Sequence, residues 1–134
     1  MAKINLSKGI AVDAAHSMKN RKTEFRGVDL STGNVLFYKD LGNQTINIGE
    51  FLAIVEACKY IVDHDFQPCR IFSDSMVGIT WFKNKRAESK KRNKLVDKAV
   101  LYLRACHDYI DDIEVIHWDN KEWGEIPADF GNKK

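Results

Sequence analysis

The alternation of apolar and polar residues predicts a chain that starts with β-strands. In residues 8–17 and 23–30, apolar side chains such as Ile10, Val12 and Phe25 lie among polar ones, and residues 35–41 follow the turn-forming stretch STGN. Short segments of this kind, bounded by turn residues, are typical of strands. Because the connections are tight, we expect the three strands to form an antiparallel meander.

The period then changes to that of a helix. In residues 47–64 the apolar residues, among them Phe51 and Val55, recur at helical spacing. Asn47 is the predicted N-cap of this helix, and Glu50 follows three residues later, as in a capping box.

The second half of the chain alternates strands and helices. We predict a strand over residues 69–73, a helix over about 75–84, a helix over 93–110, a strand over 113–118 and a terminal helical turn over 126–131. Strands that flank helices pair in parallel through right-handed crossovers. The predicted α/β fold is a mixed five-stranded sheet, with three antiparallel and two parallel strands, flanked by helices in one domain of residues 1–134.

Composition narrows the class of protein. The apolar fraction of 44% and the charged fraction of 30% are ordinary for a globular domain, and no apolar run is long enough to span a bilayer. Cys58, Cys69 and Cys106 are odd in number and lack metal-ligand spacing. We expect reduced cysteines, a cytoplasmic location and a monomer.

Charge is distributed unevenly along the chain. Residues 83–94, KNKRAESKKRNK, contain seven Lys or Arg and one Glu, so they carry +6, whereas the whole chain carries +2 and the remainder −4. A basic segment on a slightly acidic body indicates a surface for a polyanion. A solvated loop without a partner is the alternative.

Four carboxylates could meet at one end of the sheet. Asp74 ends a predicted strand in IFSDS, where Asp74 or Ser75 could alternatively cap the next helix. Asp13 lies on the first strand, Glu50 near the start of the first helix, and Asp129 in the closing turn. Clustered carboxylates repel unless a cation binds them, and oxygen ligands favour Mg²⁺ or Mn²⁺. Two such ions are the usual device for cleaving phosphodiesters.

The motifs that carry these residues resemble type 1 ribonuclease H, in particular a bacterial branch that ends in WGEIPADFG. The matching segments are AVDAAHS, TINIGEFLAIVEA, IFSDS and WGEIPADFGNK, in the order and spacing of that family. The resemblance implies a ribonuclease H-like fold and hydrolysis of the RNA strand of RNA–DNA hybrids, which leaves 3′-hydroxyl and 5′-phosphate ends.

The resemblance also implies roles for individual residues. Asp13, Glu50, Asp74 and Asp129 would be catalytic and would bind two Mg²⁺ ions, for which Mn²⁺ could substitute. Glu50 would additionally accept a hydrogen bond from an RNA 2′-hydroxyl. Thr45 would contact a phosphate of the DNA strand and Asn47 the minor groove. The cationic residues expected to bind backbone phosphates are Lys83, Lys85, Arg86, Lys90, Lys91 and Arg92.

Three departures from the family keep other functions open. The loop AAHSMKNRKTEF lacks the usual Gly and Pro, Ile46 stands where the family has an Asn, and DNKEWGE replaces a His-bearing loop. One alternative is a catalytically silent module that binds hybrids or double-stranded RNA. The other is a related two-metal nuclease that cleaves DNA.

Overall fold

The computed structural model describes residues 6–88 and 93–129, which form five strands and five helices; the strands and the three longer helices follow the predicted order. The strands are β1 (Ile10–Ser17), β2 (Lys22–Asp29), β3 (Val35–Asp40), β4 (Arg70–Ser73) and β5 (Glu114–His117). The helices are α1 (Ile46–His64), α2 (Met76–Asn84), α3 (Lys94–Ala105), α4 (His107–Ile110) and α5 (Asn120–Trp123).

The five strands form one mixed sheet in the order β3-β2-β1-β4-β5. β1 pairs antiparallel with β2, and β2 with β3, whereas β1–β4 and β4–β5 are parallel. The predicted fold class, with its meander and its two crossover strands, is therefore confirmed.

The two faces of the sheet bury different cores. Ile10 and Val12 of β1 belong to a large core with residues of α1, α2, α3 and α4. Ala11, between them in sequence, belongs to a smaller core with residues from 118 to 128. Successive side chains of a strand point to opposite faces, so residues 118–129, here named the closing segment, cover the face opposite α1.

The start of α1 differs from the prediction. Thr45, not Asn47, is the N-cap, and its side chain accepts a hydrogen bond from the Ile48 amide at 3.2 Å. Asn47 therefore lies inside the first turn, and Glu50 is not the partner of a capping box. Two adjacent candidate caps, Thr45 and Asn47, compete in this sequence, and the helix begins at the earlier one.

The predicted helix over 93–110 is interrupted. Cys106 leaves helical geometry at φ −108° and ψ 20°, and its amide closes the last turn of α3 on the Tyr102 carbonyl at 2.9 Å. A short helix, α5, lies within what the sequence predicted as a loop. The predicted terminal turn is present as far as Asp129, whose amide donates to the Ile126 carbonyl at 2.9 Å.

Two expectations from composition can be compared with the described part of the chain. Cys58, Cys69 and Cys106 form no disulfide; the first is buried and the other two are half-buried. Within residues 6–88 and 93–129, none of the helices has the length and apolar character needed to cross a membrane.

Candidate metal centre

Two neighbouring strands, β1 and β4, each carry an aspartate just past the last residue through which they pair with each other. The parallel register of β1 and β4 ends with Val12 opposite Ser73, so Asp13 and Asp74 come next on their strands. Open α/β sheets bind ligands at the carboxyl ends of their strands. The Asp74 carboxylate of IFSDS therefore lies beside that of Asp13 on the first strand.

Glu50 reaches these residues from α1, which packs unusually close to the sheet. A Cβ at Gly49 would lie 2.9 Å from Cγ2 of Thr23 and 3.1 Å from Cβ of Ala14. A Cβ at Gly78 of α2 would lie 3.3 Å from Cβ of Glu50. Separations this short are tight for real Cβ atoms. Gly49 therefore lets α1 lie close to the sheet, and Gly78 lets α2 lie close to Glu50.

The three carboxylates form one group. Asp13, Glu50 and Asp74 each offer an oxygen, and these oxygens lie within 4.8 Å of one another. Asp13 is 6% exposed and Glu50 8%, whereas Asp74 is half-buried. Like charges at this spacing repel, and burial removes the water that would screen them.

Glu50 is the group that this environment perturbs most clearly. Burial, together with the nearby Asp13 and Asp74 carboxylates, raises the pKa of Glu50 to about 9; a hydrogen bond from the Ala14 amide opposes them. Its Oε1 atom is buried and has no hydrogen-bond partner. A buried carboxylate oxygen without a donor is costly, and a cation bound by all three residues would remove that cost.

The donor set fits a hard divalent cation. All three ligands are carboxylates, and carboxylate oxygens suit Mg²⁺, Mn²⁺ or Ca²⁺ better than softer metals. The group is therefore a candidate site for a divalent ion.

Asp74 does not cap α2. Ser75 is the N-cap, and its Oγ accepts a hydrogen bond from the Gly78 amide at 3.0 Å. The Asp74 Oδ2 atom instead accepts a hydrogen bond from Nδ2 of Asn120 at 3.0 Å. The alternative in which Asp74 serves only to start a helix is wrong.

The fourth predicted ligand, Asp129, is not part of the group of three. Its main chain is held beside the site by Arg26 of β2, whose Nε donates to the Ala128 carbonyl at 2.9 Å and whose Nη2 donates to the Asp129 carbonyl at 3.0 Å. Arg26 pairs directly with Asp13 across the β1–β2 ladder, so both side chains lie on the face that the closing segment covers.

Sequence reasoning missed Arg26 and Asn120. Along the chain, Arg26 is 102 residues from Ala128 and 103 residues from Asp129, and Asn120 is 46 residues from Asp74. No local pattern signals pairs that lie so far apart. A local signal for α5 does exist, because Asp119 and Glu122 have the spacing of a capping box. The Asp119 side chain accepts from the Lys121 and Glu122 amides at 3.0 and 3.1 Å.

The predicted substrate-binding residues of α1 lie near Glu50. Thr45 and Asn47 are exposed at the start of the helix. The segment that precedes them is fixed by Thr23, whose hydroxyl accepts from the Gln44 amide at 3.2 Å, and by Asn93, whose Nδ2 donates to Gln44 Oε1 at 2.7 Å. The start of α1, which would contact a phosphate, is therefore held in place by the hydrogen bonds of Gln44 to both Thr23 and Asn93.

The basic segment is only partly described. Lys83 is exposed, Lys85 pairs with Asp111 at 3.3 Å, and Arg86 pairs with Glu88 at 3.7 Å. Both pairs are at least partly solvated and are weak, so they leave the cations available to a polyanion. The other predicted cations, Lys90, Lys91 and Arg92, lie outside the described residues.

Two tryptophans belong to the closing segment. Trp118 is buried, packs edge-to-face against Phe72 and Trp123 with centroids 5.5 and 5.4 Å apart, and donates from Nε1 to the Gly124 carbonyl at 2.8 Å. Trp118 and Trp123 therefore hold the part of the closing segment that leads to Asp129. Trp81, in contrast, packs in the large core against Phe51 at 5.9 Å.

A mixed sheet in this strand order defines a class of fold that solved structures share. An RNase H1 named LC11, isolated from compost by a metagenomic approach, is 16% identical, with 84% of each chain covered and a TM-score of 0.58. RNase H1 from the halophilic archaeon Halobacterium salinarum NRC-1 is 15% identical, with 84% of this chain and 86% of that chain covered and a TM-score of 0.53.

A further structure, LC11-RNase H1 in complex with an RNA/DNA hybrid, is 13% identical, with 84% of this chain and 86% of that chain covered and a TM-score of 0.52. At these identities the similarity establishes the RNase H fold. The sequence itself matches the reverse transcriptase-like family over residues 11–111. The chain belongs to that family. Its place in the bacterial type 1 branch stays a prediction.

Proposed function

We propose that this protein is a metal-dependent endoribonuclease that cleaves the RNA strand of RNA–DNA hybrids. The observation that carries the proposal is the group of Asp13, Glu50 and Asp74, with a buried Glu50 oxygen that lacks a donor, where the parallel pairing of β1 and β4 ends. The complex of LC11-RNase H1 with an RNA/DNA hybrid supports the choice of substrate, because that protein has the same fold.

The proposed ligands are Asp13, Glu50, Asp74 and Asp129, and the proposed ions are two Mg²⁺, for which Mn²⁺ could substitute. When bound, such ions supply an activated water and stabilise charge on the departing 3′-oxygen, which leaves 3′-hydroxyl and 5′-phosphate ends. The closing segment, whose Ala128 and Asp129 carbonyls accept hydrogen bonds from Arg26, would bring Asp129 to the site from the face opposite α1.

Selectivity for RNA would come from the residues around the start of α1. Glu50 is proposed to accept a hydrogen bond from the 2′-hydroxyl at the cleaved nucleotide, the chemical group that distinguishes RNA from DNA. Thr45 and Asn47 are exposed three to five positions before it in the chain and are proposed to contact a phosphate of the DNA strand and the minor groove. The basic segment would contact further phosphates without reading sequence.

The test is a comparison of duplexes that differ in one strand. Cleavage of an end-labelled strand is measured in RNA–DNA, RNA–RNA and DNA–DNA duplexes of one sequence, with Mg²⁺, Mn²⁺ or EDTA. We expect the RNA of the hybrid alone to be cut, with either metal and not with EDTA.

Asp74→Asn is the variant that tests the site, and Asp112→Asn, the same substitution at an exposed position, is its control. Asp74→Asn should abolish cleavage and leave hybrid binding intact, since it removes a ligand and relieves repulsion. Tight binding of the hybrid without cleavage under any metal would favour the silent binding module. Cleavage of the DNA duplex would favour the DNA nuclease.

A further inference from the structure

Asn120, the first residue of α5, uses both ends of its side-chain amide. Its Nδ2 donates to Asp74 Oδ2 at 3.0 Å, and its Oδ1 accepts from the Ile126 main-chain amide at 3.0 Å. One side chain therefore connects the end of β4 with the closing segment.

The orientation of this amide follows from its partners. A main-chain N–H can only donate, so the atom that faces Ile126 must be the oxygen. An ionised carboxylate can only accept, so the nitrogen faces Asp74. Neither bond survives if the amide is turned over, which means that the two contacts fix each other.

The Ile126 end of the connection is rigid. Ile126 is 1% exposed and packs in the smaller core with Phe72, Trp118 and Ala128. The chain before Asn120 is held as well, because the Trp118 amide donates to the Ser73 carbonyl at 2.8 Å. Asn120 is thus fixed on both sides by buried residues, although its own side chain is exposed.

We propose that Asn120 is a positioning residue that holds the Asp74 carboxylate in the orientation needed to bind a divalent ion. The proposal rests on the proposed function and assigns a partner to one of its ligands. Carboxylates that bind metals are generally oriented by hydrogen bonds from an outer residue, and loss of such a residue costs about 10–100-fold in metal affinity or activity. Here the same side chain also keeps the closing segment in register with the site.

The experiment separates the two hydrogen bonds. Asn120→Ala removes both. Asn120→Asp keeps an oxygen that can accept from the Ile126 amide and replaces the donor to Asp74 with a second carboxylate. Lys121→Ala, on the adjacent exposed residue of α5, controls for any change in that helix.

Three quantities are measured for each variant. They are the Kd of Mn²⁺ by calorimetry, kcat and KM on the hybrid, and the near-ultraviolet circular dichroism of Trp118 and Trp123, which reports the closing segment. For Asn120→Ala we expect a Kd for Mn²⁺ that is weaker by about tenfold and a kcat lower by about 10–100-fold. KM should stay within about twofold, since binding of the duplex is not affected.

Asn120→Asp decides the proposal if Asn120→Ala fails to fold. It should keep the wild-type dichroism and lose at least about tenfold in kcat. A wild-type kcat in Asn120→Asp would overturn the proposal and leave Asn120 as a residue that only closes the loop. A wild-type protein that neither binds Mn²⁺ nor cuts the hybrid would overturn the proposed function itself.

Discussion

The two layers that cover the sheet hold their parts of the candidate site by different means. On one face, α1 has 19 residues, most of them buried, and Glu50 is embedded among them. On the other face, α5 has four residues, none of them buried, and the closing segment has hydrogen bonds that Arg26 donates and that the side chains of Asp119 and Asn120 accept. Packing fixes the first layer, whereas the second combines directional polar contacts with the smaller core, in which Trp118, Ile126 and Ala128 are buried.

This difference indicates which changes should affect folding and which should affect chemistry. Packing is shared among many side chains, so the position of Glu50 depends on the whole core. A hydrogen bond depends on one donor and one acceptor, so the closing segment can be displaced by a single substitution while the large core stays intact. The candidate ions would lie where the two layers meet, and would join them.

The largest effect is expected from Glu50→Gln, which removes the proposed ligand of the packed layer. Cleavage should fall by at least about 1,000-fold, since loss of a metal ligand removes several kcal/mol of transition-state stabilisation. Binding of Mn²⁺ should weaken in calorimetry. The metal-free protein should become more stable at neutral pH, because folding would no longer require the carboxyl group, ionised in the unfolded chain, to take up a proton.

Glu56→Gln makes the same chemical change on the same helix, outside the group of three carboxylates. It should leave cleavage unchanged. If Glu50→Gln cuts the hybrid as fast as Glu56→Gln does, the packed layer supplies no ligand.

The second effect is a proton released when a divalent ion binds. The pKa of Glu50 is raised from 4.5 to about 9 by burial and by Asp13 and Asp74, so the metal-free protein holds this proton at pH 7.5. A metal needs the ionised carboxylate. Calorimetry in buffers of different ionisation enthalpy should therefore detect about one proton released per protein at pH 7.5, and fewer above about pH 9.

The same pKa sets the sign of a stability change in EDTA. Between pH 4.5 and about 9 the unfolded chain has lost the Glu50 proton and the folded protein has kept it. The metal-free protein should therefore lose stability as pH rises through this window. In Glu50→Gln, both the released proton and this pH dependence should be much reduced; full retention would contradict the assignment.

The third effect concerns the hydrogen-bonded layer. Arg26→Met removes the donors to the Ala128 and Asp129 carbonyls and should lower kcat by about tenfold, as is usual for residues that orient a metal ligand. Unfolding in urea should show a loss of about 2 kcal/mol. Hybrid binding should not change.

Arg70→Met is its control at the opposite end of the strands, where Arg70 pairs with the exposed Glu114 at 3.1 Å. It should cost less than about 1 kcal/mol and leave kcat as it is. Equal losses of kcat in the two variants would mean that Arg26 has no specific role in positioning the candidate site.

The smallest effect on chemistry is expected from the basic segment. Changing Lys90, Lys91 and Arg92 together to Gln should weaken hybrid binding and reduce the slope of log K against log salt by about one per lost phosphate contact. The kcat at saturating hybrid should stay the same. Changing Lys8 and Arg70 to Gln removes charge at the opposite end of β1 and β4 and should leave the slope unaltered.

The sequence alone predicted the order of the five strands and the three longer helices, the strand arrangement, and the meeting of Asp13, Glu50 and Asp74, three of the four carboxylates expected there. These depend on apolar periodicity and on the rule that parallel strands share an edge, both of which are local or topological. The N-cap of α1 was mispredicted because Thr45 and Asn47 are both good caps. The break at Cys106 was missed because Leu103 and Ile110 continue one apolar face across it.

What the sequence could not supply are contacts between distant polar side chains. Nothing in the neighbourhood of Asn120 points to Asp74, and nothing near Arg26 points to Ala128, because an exposed Asn or a strand Arg has many possible partners. The place of Asp129 among the ligands, the extent of the domain, the monomeric state and the cytoplasmic location stay predictions.

Gly49 allows α1 to lie close to the sheet, and this spacing would influence which ion the site binds. Any side chain at this position would collide with Thr23 and Ala14. The collision would push the start of α1 away from the sheet and carry Glu50 with it. Mg²⁺ demands ligands at about 2.0–2.1 Å in near-ideal octahedral geometry, whereas Ca²⁺ accepts about 2.3–2.6 Å and irregular shells. A slightly wider space would favour the larger ion, so a residue without a side chain would take part in the choice between the two.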